Sequence, residues 1–194
     1  MRYYPLLLDL KGKKCVVAGG GRVAQRKVKS LLKAKARVWV ISPDLTNGLG
    51  KLKRKKSILH IKSHYQAKYL NDAILVIAAT SDEKINQAVA CDAQAQGKLT
   101  NVVDAPRLSN FIVPSSIHKG DLIISISTNG KAPALSKRIR KDLNKLLIPR
   151  YAKFLKRLKA IRNDLQQRCA KPNLRRMLMH CLVNAKIPQE KILR

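Results

Sequence analysis

The residues in this 194-residue chain that could do chemistry begin with Gly19-Gly20-Gly21-Arg22-Val23-Ala24, which fits G-x-G-x-x-A. The bare pattern is weak, and its context gives it weight: an apolar run, Lys14–Gly19, precedes it and a run of helical spacing, Val23–Lys33, follows it. In such a loop the first glycine permits the tight turn, Gly21 lets the backbone approach a pyrophosphate, and Ala24 lets the helix pack close to the strand. The helix start then offers free N–H groups and the positive end of its dipole to phosphate. The plain alternative is a glycine-rich turn in an α/β domain that binds nothing. The dinucleotide reading expects an acidic residue at the end of the second strand, roughly 20 residues on, for the adenosine ribose. That strand ends Ile41-Ser42-Pro43-Asp44. Ser42 stands where the carboxylate is usual and Asp44 comes slightly late, so either Asp44 or the backbone of Pro43-Asp44 is expected to hold the ribose. No arginine is adjacent to mark a 2′-phosphate, which favours NAD over NADP.

Two further strand ends complete the set. Ala78-Ala79-Thr80 closes one strand and Asn101-Val102-Val103-Asp104 the next. Ligands of open α/β sheets bind outside the carboxyl ends of the strands, so Thr80 and Asp104 are candidates, Asp104 beside the nicotinamide. A carboxylate there could abstract or relay a proton; the plain alternative is an Asp that caps a turn before Pro106. No metal site is expected. His60 and His64, four apart on a strand-like run, would lie on one face but ~13 Å from each other. His118 falls in a turn, His180 lies in the last helical segment, and the four cysteines (Cys15, Cys91, Cys169, Cys181) have no CxxC spacing.

The elements that must position these residues follow from periodicity. Continuous apolar strands at Lys14–Gly19, Ala36–Ser42, Ser57–Lys62, Ala73–Thr80 and Leu99–Asp104 alternate with helical runs at Val23–Lys33 and Glu83–Gln96. That alternation predicts an α/β class: a Rossmann-like, doubly wound parallel sheet covered on both faces. The pattern then changes to two strands, Phe111–Ile117 and Leu122–Thr128, joined through His118–Asp121, and to a basic helix over Ala134–Leu147. Beyond it Tyr151, Phe154, Leu155, Leu158, Ile161 and Leu165 recur at helical spacing, and Pro149, Pro172 and Pro188 divide the tail into four helices. The expected domains are 1–113, a dinucleotide-binding sheet domain; 114–148, a small β/α region; and 149–194, a helical C-terminal domain.

Charge separates the readings. The chain holds 41 Lys+Arg against 11 Asp+Glu, a formal net charge of +30, and residues 131–194 alone hold 19 against 3. A basic wall can face a polyanion, or simply be a set of solvated helix faces. A nucleic-acid-binding protein is the first rival, although aromatic residues are only 4% and no helix-turn-helix or RNA-recognition motif is legible. A regulatory module that senses NAD without chemistry is the second. No apolar run reaches the ~18–20 residues of a spanning helix, and the opening residues are too short for a signal peptide, so a cytoplasmic protein without membrane contact is expected.

At this level the residues resemble a known family. Val16–Lys27 (VVAGGGRVAQRK), Ala78-Ala79-Thr80, Asn101–Pro106 (NVVDAP), Phe111–Ser115 (FIVPS) and Ser125–Leu135 look like the precorrin-2 dehydrogenases, the N-terminal region of siroheme synthases. The likeness is collinear from Tyr4 to about Ile187, and the NVVDAP and FIVPS blocks are far more specific than the glycine loop. It implies NAD-dependent oxidation of precorrin-2 to sirohydrochlorin on the route to siroheme, with iron insertion as a further activity of some members. It implies an intertwined homodimer in which 114–148 forms dimerisation elements. Cofactor contacts would fall on Arg22-Val23 and Pro43-Asp44, and the catalytic carboxylate would be Asp104. The substrate is a tetrapyrrole with multiple carboxylates, for which a basic cleft is apt, and nucleic acid recedes as a partner. A stand-alone form implies a separate uroporphyrinogen methyltransferase upstream. Ser127-Thr128-Asn129-Gly130 departs from the family's Ser-Ser-Gly-Gly, so phosphorylation of a serine there is not carried over to Thr128.

Overall fold

In a computed structural model of the chain, residues 3–146 and 148–186 are described. The chain divides into two compact units, Met1–Val113 and Pro114–Arg194.

The first unit alternates strands and helices: β1 (Lys14–Ala18), α1 (Arg22–Lys33), β2 (Arg37–Ile41), α2 (Asn47–Arg54), β3 (Leu59–Ile61), β4 (Leu75–Ala78), α3 (Glu83–Ala95) and β5 (Leu99–Val102). All five strands are parallel, in the order β3-β2-β1-β4-β5. The chain therefore winds outward from β1 in one direction, then returns to its other side, and the topological switch lies between β1 and β4. The apolar runs explain the strands: every residue of β1 and β4 is buried, as in a sheet covered on both faces. Successive side chains feed opposite layers. Cys15 and Val17 pack with Ala24, Val28 and Leu31 of α1, whereas Val16 and Ala18 pack with Val89, Ala90 and Ala93 of α3.

Helix α2 is absent from the sequence expectations. Its start, Asn47-Gly48-Leu49-Gly50, carries two glycines, each unfavourable in a helix by ~1 kcal/mol relative to alanine. Local capping and burial override that preference: Thr46 accepts the Leu49 N–H, and Leu49 is fully buried. Strand β5 has a free edge, closed by the residues that follow it. Asn110 Oδ1 accepts the Thr100 N–H at 2.7 Å, and Ser109 Oγ accepts the Val102 N–H at 2.9 Å. These side chains occupy the edge donors that would otherwise invite another strand.

The second unit opens with an antiparallel hairpin, β6 (Ser115–Lys119) and β7 (Leu122–Ile126), followed by α4 (Pro133–Leu146), α5 (Ile148–Arg168) and α6 (Pro172–Lys186). Lys119 pairs with Leu122, so the loop is Gly120-Asp121 alone, with Gly120 at φ +59° as a two-residue loop requires. Two expectations are corrected. The first hairpin strand begins at Ser115 rather than Phe111, since Pro114 lacks the N–H a ladder needs. His118 accordingly pairs within β6 opposite Ile123 and is not in the turn. Among the described residues the tail forms the three helices expected before Pro188, and the expected fourth lies outside them. Pro133 and Pro172 are the first residues of their helices and Pro149 the second, positions where proline lacks only an N–H that would be unpaired anyway. Leu147 and the segment around Ile187 and Pro188 lie outside the described residues.

Candidate active site

The loop after β1 is built by close approach. Gly19 has φ +119°, and a Cβ there would stand 2.3 Å from the carbonyl oxygen of Ala79. At Gly20 a Cβ would lie 1.8 Å from the Asp44 carbonyl oxygen and 2.5 Å from the Ser42 hydroxyl. The loop is thus wedged between the ends of β4 and β2, and two of its three glycines are required by the protein's own packing. Gly21 differs: nothing lies within 4 Å of its Cβ position. The backbone there is open to a ligand, and it forms the N-cap of α1, which has no side-chain cap and no acidic residue in its first turn. Unpaired N–H groups with no competing carboxylate suit a pyrophosphate. Ala24, fully buried, brings α1 close to the sheet. Arg22 and Val23 occupy the exposed first turn of α1, beside that opening.

The turn after β2 is held to this loop. The Ser42 hydroxyl donates to the Asp44 carbonyl, the Thr46 N–H donates to the Gly20 carbonyl at 3.0 Å, and Thr46 Oγ1 donates to Gln25 Oε1 at 2.6 Å. Ser42 is therefore buried and committed to shaping the turn, while Pro43 and Asp44 stand exposed above it. The Asp44 carboxylate has no hydrogen bond or ion pair among the described residues. His60 Nε2 lies 2.9 Å from the Ser42 carbonyl, which places this histidine under the same turn. Its other ring nitrogen is buried without a partner.

Across the switch point, Thr80 follows β4. Its N–H donates to Asn86 Oδ1 at 3.1 Å, and its hydroxyl lies 2.9 Å from both Asn86 Oδ1 and the Asp82 carbonyl. The hydroxyl proton is thus engaged within the loop, and Thr80 presents itself to the glycine loop through its backbone, whose nitrogen would be 3.1 Å from a Cβ on Gly19. Asp104 follows β5 at φ +59°, a left-handed conformation that Asp tolerates better than most residues. It is exposed, and its carboxylate makes no hydrogen bond or ion pair among the described residues. The short 3-10 helix Pro106–Leu108 has no side-chain cap, so the turn-capping alternative for Asp104 has no geometric support.

Sequence reasoning passed over Lys27. Its ammonium donates to Asn101 Oδ1 at 3.1 Å, and Asn101 in turn donates to the Phe111 carbonyl at 3.2 Å. Burial holds the Lys27 ammonium below the ordinary lysine range; Arg26 pushes the same way, and Asp104 opposes it. The only sign in the sequence is a lysine one position off the apolar stripe of α1, facing a strand that carries Asn101. Gly20 was expected among the cofactor-binding glycines, whereas its close contact with the Asp44 turn depends on two loops meeting. Among the described residues no three His, Cys, Asp or Glu side chains come together as a metal site. His64 lies beyond the end of β3, apart from the strand that carries His60.

Residues 6–115, which contain this whole constellation, match the family described as "Putative NAD(P)-binding", and residues 119–146 match the central region of sirohaem biosynthesis proteins. The chain belongs to this NAD(P)-binding family. It is 38% identical over 177 residues to a siroheme synthase of Methylobacillus flagellatus, covering 91% of this chain and 38% of that protein. To a siroheme synthase of Saccharophagus degradans it is 35% identical over 193 residues, covering 42% of that protein. The chain thus spans about two fifths of the length of the curated relatives it matches. Among solved structures it is similar to SirC, a precorrin-2 dehydrogenase, with a TM-score of 0.82 and 25% identity over 93% of this chain and 89% of that one. The family region 6–115 ends beside the unit boundary at Val113, and the hairpin β6–β7 opens the second unit.

Proposed function

We propose that this chain is an NAD-dependent dehydrogenase that oxidises precorrin-2 to sirohydrochlorin in siroheme biosynthesis. The observation that carries the proposal is a pairing at one sheet edge. The space over Gly21, at an uncapped helix start, fits a pyrophosphate, and across the switch point stands a carboxylate with no structural partner, Asp104. The likeness to a precorrin-2 dehydrogenase supports the choice of substrate.

NAD, when bound, accepts one hydride from the substrate. Gly21 and the first turn of α1 hold the pyrophosphate, with Arg22 and Val23 beside it and Thr80 flanking the loop. Pro43 and Asp44 receive the adenosine ribose, and Ser42 fixes their turn. Asp104 takes the proton that leaves with the hydride, so the macrocycle loses one hydride and one proton and gains conjugation. That gain supplies the driving force, and the protein's work is chiefly to position the reactants. Lysines and arginines around the site would attract a polycarboxylate tetrapyrrole, an effect that weakens as salt rises. The active form is a homodimer in the cytoplasm.

The test is formation of reduced nicotinamide from NAD and enzymatically generated precorrin-2. Turnover is expected. Binding of NAD without turnover would favour a sensing module, and salt-sensitive retention on DNA without turnover would favour a nucleic-acid partner. Ferrous ion added after turnover reads iron insertion in the same vessel.

A further inference from the structure

Beside the Pro43–Asp44 turn lies an open pocket of about 380 Å³, walled by that turn and by α2, with β3 beneath. Lys53, Arg54 and Lys62 bring three cations to it, against the single carboxylate of Asp44. None of the three cations has an ion-pair or hydrogen-bond partner among the described residues. In sequence the arginine stands ten positions beyond Asp44, which is why no cation is adjacent to the second strand end. Helix α2 runs back alongside the sheet and β3 returns to its carboxyl edge, so the fold brings Arg54 and Lys62 to the same pocket. The guanidinium of Arg54 folds back a full turn along α2: its Nη1 lies 3.9 Å from where a Cβ on Gly50 would stand. A glycine inside a helix is costly. Here it leaves the pocket side of the helix clear beside that guanidinium.

Cations near the end of α2 also complement the helix dipole. That accounts for Lys53 but not for Lys62, which lies just past β3, nor for an arginine that turns back from the helix end. With the pyrophosphate at Gly21, the adenosine ribose lies over the end of β2, which is where this pocket opens. A ribose 2′-hydroxyl needs one acceptor, which Asp44 offers. A phosphate monoester at that position needs cations, and a planar guanidinium suits it best.

We propose that this pocket receives the ribose 2′-phosphate of NADP, with Arg54 and Lys62 as its partners, so that the chain binds NADP alongside NAD. The inference rests on the glycine loop holding the pyrophosphate. The experiment is calorimetric titration of the full chain with NAD and with NADP, repeated on Arg54→Ala/Lys62→Ala; both side chains are exposed, so the fold should persist. The expected result is an NADP Kd within about tenfold of the NAD Kd, and in the double variant a loss of about tenfold or more for NADP relative to NAD. NADP binding should also fall more steeply with salt than NAD binding. A wild-type chain that binds NAD but takes NADP more than about tenfold more weakly removes the inference and leaves the loop reading standing, as does a double variant whose losses for the two cofactors differ by less than about tenfold. A chain that binds neither dinucleotide removes both.

Discussion

The two units of this chain differ in how much apolar core each one buries. In Met1–Val113, two layers close over the sheet, and Leu49, Leu70, Val16, Val28 and Val76 are each under 2% exposed. In Pro114–Arg194, Ile117 is the one buried apolar side chain among the described residues, while Leu135, Leu174 and Met177 remain 52%, 40% and 57% exposed. Both units are basic, so charge does not distinguish them. The sheet unit supplies its own core; the helices carry apolar stripes that another surface would have to cover. That contrast is the physical support for the proposed homodimer.

The contrast is easiest to break with truncations. Leu70→Ala and Leu49→Ala should each cost ~2–5 kcal/mol in urea unfolding, because a filled site is emptied. Met177→Ala should cost under ~1 kcal/mol in dilute protein, as exposed substitutions do. A cost at Met177 that grows with protein concentration would mark a second copy lying over it.

A finer contrast lies within the glycine loop. Gly20→Ala must displace the Asp44 backbone and is expected to cost ~1–3 kcal/mol, as overpacking does. Gly21→Ala meets nothing within 4 Å, so its melting temperature should match the wild type while NAD affinity falls. If the two variants lose stability equally, the division of labour between these glycines is wrong.

Thiol chemistry sharpens the comparison further. Burial pushes the Cys15 thiol up to about 11, whereas Cys91 and Cys181 are exposed. A thiol reagent near neutral pH should label Cys91 and Cys181 at once and reach Cys15 only when the sheet unit unfolds. The folded state disfavours the Cys15 thiolate, so this contribution to stability is complete below the ordinary value of 9.0 and is lost as pH rises towards about 11. The smallest effect belongs to Lys159–Asp121, a 2.9 Å ion pair whose side chains are 65% and 70% exposed. The Lys159 ammonium lowers the Asp121 carboxyl, so any support from the pair fades as pH falls through that lowered value. Asp121→Asn should leave the melting temperature unchanged within error.

Much of the sheet was legible in the sequence, because strands buried on both faces are continuous apolar runs and five of them stand out. Helix α2 was not, since Asn47, Gly48 and Gly50 oppose helix formation and its cap and its buried Leu49 act only in the folded chain. The glycine loop was legible as a motif, but the need for Gly20 arises where two loops touch. Asp104 could be singled out by its place after a strand. The left-handed backbone and the free carboxylate that strengthen its candidacy are properties of the turn. Lys27 was hidden because one lysine among so many carries no signal until burial sets it apart. Pro149 and Pro172 read as divisions of the tail, and in the fold each stands in the first turn of a helix, where proline's missing N–H is harmless.

The central claim is that Asp104 and the glycine loop serve one reaction, and Asp104→Asn tests it most directly. Asparagine tolerates the left-handed backbone and keeps the shape, removing only the proton acceptor. With NAD and enzymatically generated precorrin-2, the variant should bind NAD as the wild type does and form reduced nicotinamide about 10²–10⁴-fold more slowly, the usual contribution of a positioned acid–base group. Turnover by Asp104→Asn at the wild-type rate would contradict the account.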